Sequence, residues 1–234
     1  MNCNMIKIRM FMAACCLLGT SGVANAQNAV KIDSNYANYY YKQRVEYFNK
    51  MPHVKNEIVF LGNSITERGE WQEILSGYRY PIVNRGVGGD NSFGILARMD
   101  EILAAKPKAI FLMDGINDLF RNLPNEVSIY NYKRIIRKIK KDSPKTKIYI
   151  ESALPINEEM TKEPYTKGRS KMVPVLNEKI KKLAEEERIT YINIVPLFAD
   201  ENGNLRKEVT MDGVHLKASA YIDWVAYLKE LKYL

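Results

Sequence analysis

Cysteine is confined to the first 16 residues of this 234-residue chain, as Cys3, Cys15 and Cys16. Everything after them must fold without a disulfide and offers no thiolate for a metal or for covalent catalysis. Histidine is nearly as scarce: His53 and His215 are the only two, too few for a zinc hydrolase that needs several His, Cys or carboxylate ligands. No apolar run reaches the roughly 20 residues of a spanning helix, so no stable membrane span is expected. Thr66 stands where the last glycine of a G-x-S-x-G nucleophile elbow belongs, which argues against an α/β-hydrolase of that kind. Asn91 stands where a dinucleotide fingerprint needs its third glycine. Together these absences predict a protein with no metal and no cofactor.

The amino terminus reads as a targeting segment. Lys7 and Arg9 precede the apolar stretch 10–18, and Ala24-Asn25-Ala26 forms a small-x-small cleavage site, which predicts a secretory signal over 1–26 and a mature chain starting at Gln27. The protein is therefore expected to be exported, periplasmic or secreted. Cys15, after Met12-Ala13-Ala14, is the alternative, a lipid-attachment site with Met where such sites favour Leu. The roughly 208 residues that remain are enough for one well-buried α/β domain over 27–234 and few for two.

The whole chain carries a formal charge of +8, and removing Lys7 and Arg9 leaves +6. That balance steers anionic partners. The basic residues are scattered, however, and the densest run, 134–141, interleaves isoleucines at helical spacing, the pattern of a packed helix with a wet face. Nucleic-acid binding is not expected, and nothing in the sequence sets an oligomeric state.

Five short apolar runs, 58–61, 80–83, 109–113, 147–150 and 190–194, alternate with helical stretches at 91–105, 127–141 and 172–188. Strands alternating with helices imply a parallel sheet covered on both faces. Amphipathic segments at 36–49 and 219–234 read as further packing helices. The longest irregular segment, 155–171, carries Glu158, Glu159, Lys162, Lys167 and Arg169; it is either a mobile, substrate-facing loop or a solvated connection.

Polar clusters follow the strands. Gly62-Asn63-Ser64 comes after the first, Asn84-Arg85-Gly86-Val87-Gly88-Gly89-Asp90 after the second, Asp114-Gly115-Ile116-Asn117-Asp118 after the third, and Asp212-Gly213-Val214-His215 before the last helix. All four map to one edge of the sheet, where open α/β folds bind ligands. Each alone has a plain structural explanation: Ser64 as a helix cap, the glycines as a tight turn, Asn117-Asp118 as a turn or cap, the Asp–His pair as a local hydrogen bond. Their joint occurrence, in order, is what those explanations do not supply. His53, ahead of the first strand, reads as a surface or capping residue.

In these four blocks the chain resembles the SGNH hydrolases, the GDSL esterase/lipase family, and within it the branch related to the platelet-activating-factor acetylhydrolase catalytic subunits. The resemblance runs from about Glu57 to the carboxyl terminus. It implies a three-layer α/β/α, flavodoxin-like fold with five parallel strands ordered 2-1-3-4-5. It also implies an esterase in which Ser64 is the nucleophile, His215 the general base and Asp212 the group that orients the imidazole, with the oxyanion held by the N–H groups of Ser64 and Gly89 and the side chain of Asn117. One position departs: the family often has Asp before the serine, and here it is Asn63, which keeps an acceptor, gains a donor and loses the charge. The substrate expected is a small-molecule or glycan acyl ester, such as an O-acetylated carbohydrate. Lysophospholipid or thioester hydrolysis, and a non-catalytic carbohydrate- or acyl-binding module on the same fold, are the alternatives.

Overall fold

Apolar runs bounded by glycine build the centre of the molecule. The computed structural model describes residues 32–234, which form one compact unit; the expected signal 1–26 and all three cysteines lie outside the described residues. Strands β1 (Ile58–Gly62), β2 (Ile82–Gly86), β3 (Ala109–Met113), β4 (Lys147–Glu151) and β5 (Thr190–Ile192) form one parallel sheet in the order β2-β1-β3-β4-β5. Central β1 and β3 are buried at every position, which is why they read as unbroken apolar runs.

The helices are α1 (Tyr39–Lys50), α2 (Ser64–Glu67), α3 (Trp71–Ile74), α4 (Ser92–Ala97), α5 (Met99–Ala104), α6 (Ile116–Phe120), α7 (Asn125–Asp142), α8 (Met172–Glu186), α9 (Val195–Phe198) and α10 (Ala218–Glu230). On one face Trp71 stacks on Phe60 of β1 with ring centroids 4.0 Å apart, and Tyr221 and Trp224 of α10 meet its edge. This aromatic block fixes α10, and hence the loop before it, against the start of the chain's first βα unit. No helix among the described residues is long and apolar enough to cross a membrane.

The second strand lies later than the apolar run 80–83 suggests. Its outer half carries Asn84 and Arg85, polar residues whose side chains are occupied: Asn84 Nδ2 donates to the carbonyls of Thr66, Glu67 and Gly69 at 3.1, 3.0 and 2.9 Å, closing the end of α2. Arg85 pairs with Glu101 at 2.9 Å with both side chains buried. The single helix expected over 91–105 is two, α4 and α5. The chain turns at Arg98 (φ −107°, ψ 13°), whose guanidinium reaches Asp90 Oδ2 at 2.9 Å and the carbonyl of Gly62 at 3.0 Å.

Helix α1 ties the amino-terminal segment to the site edge. Tyr40 Oη donates to Glu67 Oε1 at 2.6 Å, Arg44 pairs with the same oxygen at 3.0 Å, and Tyr41 Oη donates to the carbonyl of Gly94 at 2.8 Å.

Glu151 ends β4 in the core, accepting one hydrogen bond from Trp224 Nε1 at 2.7 Å. Burial pushes its carboxyl up to about 8, against the smaller opposing effect of the indole N–H. A carboxyl whose pKa rises on folding stabilises fully below its ordinary pKa, near 4.5, and loses that contribution as pH climbs through about 8. Glu151→Gln keeps an acceptor for Trp224 and cannot titrate, so its melting temperature should gain on wild type as pH rises from about 5 to about 8. A difference that stays flat across that range in calorimetry would show that Glu151 does not take up a proton on folding.

Candidate active site

The strand order of a 2-1-3-4-5 sheet reverses between β1 and β3, and the crevice at their carboxyl ends is the natural ligand position. Asn63, leaving β1, caps α2 by accepting from the N–H of Ile65 at 3.0 Å, so Ser64 is the first helical residue and its hydroxyl is not the cap. Ser64 Oγ lies 2.9 Å from His215 Nε2, and His215 Nδ1 lies 2.7 Å from Asp212 Oδ2. A carboxylate on Nδ1 assigns the ring proton there and leaves the Nε2 lone pair facing the serine hydroxyl.

The Asp212–His215 loop holds itself. Asp212 Oδ1 accepts from the N–H groups of Val214 and His215 at 3.0 and 2.8 Å, and Thr210 Oγ1 accepts from Gly213 N at 3.0 Å while donating to the carbonyl of His215 at 2.7 Å. Partial burial works against the Asp212 charge, but hydrogen bonds from the His215 N–H and ring and from Val214 outweigh it and keep the pKa below the usual carboxylate value. Gly213 has φ +84°, and a Cβ there would stand 2.3 Å from the carbonyl oxygen of Asn157; the turn needs glycine on both counts.

Three candidate donors line the same cavity as the histidine. The N–H groups of Ser64 and Gly89 have no acceptor among the described residues. Asn117, in the first turn of α6, donates one Nδ2 hydrogen to the carbonyl of Asp90 at 2.7 Å, which orients the amide and leaves its second hydrogen. Gly89 has φ +74°, and a Cβ built on it meets nothing within 4 Å. Its glycine is therefore required by the left-handed backbone, and crowding by the protein itself plays no part. Below this loop the Arg98–Asp90 pair is fully buried. Burial still raises the Asp90 carboxyl to about 6 against the pull of Arg98.

All five expected site residues, Ser64, Gly89, Asn117, Asp212 and His215, line one cavity of about 540 Å³. Much of its other wall comes from 155–171, through Met160, Thr161, Lys162, Glu163, Tyr165 and Thr166. That segment is cross-tied: the Glu158 carboxylate accepts from the N–H groups of Gly168 and Ser170, each at 2.7 Å, and the Thr161 and Thr166 hydroxyls meet at 2.7 Å. Burial would raise Glu158, but those N–H groups hold its pKa down. Sequence reasoning singles out Glu158 only as one charge of this segment, because a run of charged residues carries no mark of such bonding. Arg68, which also lines the cavity, comes within 3.9 Å of Asp212 Oδ2. His53 is exposed, and the described residues contain no group of three or more His, Cys, Asp or Glu that could hold a metal.

The model of the GDSL-like lipase/acylhydrolase family matches residues 60–221. Among curated proteins none matches the chain. Solved structures that do include a Streptococcus pneumonia protein provisionally named a platelet activating factor, 29% identical, covering 82% of this chain and 92% of its own, with a TM-score of 0.75. A GDSL-like lipase from Bacteroides thetaiotaomicron is 24% identical over 83% of this chain and 98% of its own (TM-score 0.68). An acetylxylan esterase from Geobacillus stearothermophilus is 19% identical over 77% and 96% (TM-score 0.61). The last two speak for the fold alone, which is the three-layer SGNH arrangement.

Proposed function

The chain belongs to the GDSL-like lipase/acylhydrolase family, and on that premise we propose that it is a serine ester hydrolase for short acyl groups, O-acetyl groups of carbohydrates foremost. The observation that carries this is the unbroken line Ser64 Oγ, His215 ring, Asp212 carboxylate at 2.9 and 2.7 Å, in a cavity that Gly89 and Asn117 also line.

A serine hydroxyl is too weak an acid to attack an ester unaided. In this reading His215 Nε2 takes the proton as Ser64 Oγ bonds to the carbonyl carbon, and Asp212 steadies the imidazolium that forms. The carbonyl oxygen gains a full charge and is met by the N–H groups of Ser64 and Gly89 and the free Asn117 hydrogen, which gain strength only as the tetrahedral species develops. Its collapse expels the alcohol, protonated by His215. Water, activated by the same ring, then attacks the acyl-serine, and acetate leaves with Ser64 restored.

Support for a sugar alcohol comes from the rim. Phe120 and Tyr165 meet with centroids 5.3 Å apart, Tyr165 is half exposed, and Arg68, Thr161, Lys162 and Glu163 line the same cavity. A pyranose presents an apolar face to an aromatic ring and hydroxyls to polar neighbours, whereas a long acyl chain needs a continuous apolar wall.

The reaction is tested by a fluorophosphonate, which should add its mass to the Ser64 peptide, together with turnover of p-nitrophenyl acetate. A folded protein that neither labels nor turns over is a binding module. The substrate is tested by selectivity: Tyr165→Ala should lower the ratio of kcat/KM on acetylated xylobiose to that on p-nitrophenyl acetate by roughly tenfold, the worth of about 1.4 kcal/mol. An unchanged ratio, or faster cleavage of octanoyl than acetyl esters, removes the carbohydrate assignment.

A further inference from the structure

Directly behind Ser64 lies a buried pair that the chemistry above does not use. Gly62 of β1 pairs with Met113 of β3, so the next residue on each strand, Asn63 and Asp114, leaves the sheet beside the other. Both are at most 1% exposed. Asn63 Nδ2 donates to Asp114 Oδ1 at 3.2 Å while Asn63 Oδ1 accepts from Ile65 N at 3.0 Å.

We propose that Asn63 and Asp114 form one positioning unit for Ser64, in which Asp114 fixes the Asn63 amide and, through it, the first turn of the helix that carries the nucleophile. The proposal rests on Ser64 being that nucleophile. An amide capping a helix can present either end; only the oxygen satisfies the N–H of Ile65. The acceptor at Asp114 favours that orientation, because the flipped amide would set donor against donor at Ile65 and give up the bond that Asn63 Nδ2 makes to Asp114 Oδ1.

The electrical surroundings explain why position 63 is an amide. Asp118 of α6 and Asp90 of the loop after β2 face Asp114, and Tyr132 of α7 accepts its N–H at 2.9 Å. The nearby buried arginine, Arg98, is engaged by Asp90 at 2.9 Å, and Arg121 acts on Asp118. With no cation of its own among the described residues, Asp114 is driven well above the ordinary carboxylate range by burial, then by Asp118 and Asp90. A carboxylate at 63 would sit against it and could be accommodated only while the two share a proton.

The test is a reciprocal exchange. Asn63→Asp should lower kcat about tenfold or more once the pair is fully ionised, with KM little changed, and the deficit should widen as pH rises and the shared proton is lost. Adding Asp114→Asn to it restores a hydrogen bond of reversed direction, the introduced amide donating to the introduced carboxylate. The double variant should recover kcat to within about threefold of wild type and flatten the excess pH dependence. Melting curves and fluorophosphonate labelling rates accompany each variant, so that a poorly folded single variant still leaves the rescue to be read. The unit is overturned if Asn63→Asp matches wild type throughout, or if the double variant is no better than the single. Ser64→Ala, run in parallel, separates the failures. If it keeps full activity the nucleophile assignment falls; if it is inactive and the exchange gives no rescue, only the Asn63–Asp114 unit falls.

Discussion

Ser64→Ala is expected to fold and melt as wild type does while hydrolysing acetyl esters roughly 10⁴-fold more slowly or worse. Stability should survive because the helix start does not depend on the serine hydroxyl: Asn63 accepts from Ile65 N and supplies the cap. The Ser64 side chain is only partly buried, and its Oγ bonds to His215 Nε2. Turnover should collapse because nothing else at that point can form the acyl bond. The residual rate would come from the cavity and its donors acting on water, since the Ser64 N–H remains in the alanine variant. Purified protein with an unchanged melting temperature and near-wild-type esterase activity would end the nucleophile assignment. If activity and melting temperature fall together, Ser64 is instead a structural residue.

How much of this was legible in the sequence depends on what a residue's pattern reports. Burial on both faces makes a strand continuously apolar, so β1 and β3 could be read almost to the residue. Strand β2 could not, because its pairing continues through Asn84 and Arg85, whose polarity is satisfied by carbonyls and an acid distant in sequence. The break between α4 and α5 was hidden for the same reason, since the guanidinium of Arg98 is taken up by Asp90 and Gly62. One-dimensional periodicity records how often a chain meets the core; it does not record which buried polar group has found a partner.

The site divides along the same line. Ser64, Gly89, Asn117, Asp212 and His215 were visible because each follows a strand or precedes a helix in a short polar block, and parallel topology brings such blocks to one edge. The residues that hold them were not. Asp114 reads only as the first residue of a polar block, Glu158 as one of several charges in an irregular segment, and Tyr40 as one tyrosine of an amphipathic helix. Their roles exist only in the contacts to Asn63, to Gly168 and Ser170, and to Glu67. The departure at Asn63 looked like a lost charge; the fold shows a carboxyl group next to it, at Asp114.

Asn117→Ala is expected to lower kcat by about 10²–10³, some 2.7–4 kcal/mol of transition-state stabilisation, with a smaller change in KM. The amide is well placed to matter only late in the reaction. One hydrogen is committed to the carbonyl of Asp90 at 2.7 Å, which removes the freedom of the side chain. The other is then preorganised for a charge that the ground-state carbonyl does not yet carry. Alanine also leaves the Asp90 carbonyl without that donor, a loss of about 0.5–1.5 kcal/mol in stability. That should appear as a modest fall in melting temperature and is too small to account for the kinetic loss. The pattern of constants is therefore decisive. A fall in kcat with KM nearly constant marks a donor to the oxyanion, whereas a rise in KM at constant kcat marks uniform substrate binding. In that second case the oxyanion would be left to the N–H groups of Ser64 and Gly89 alone.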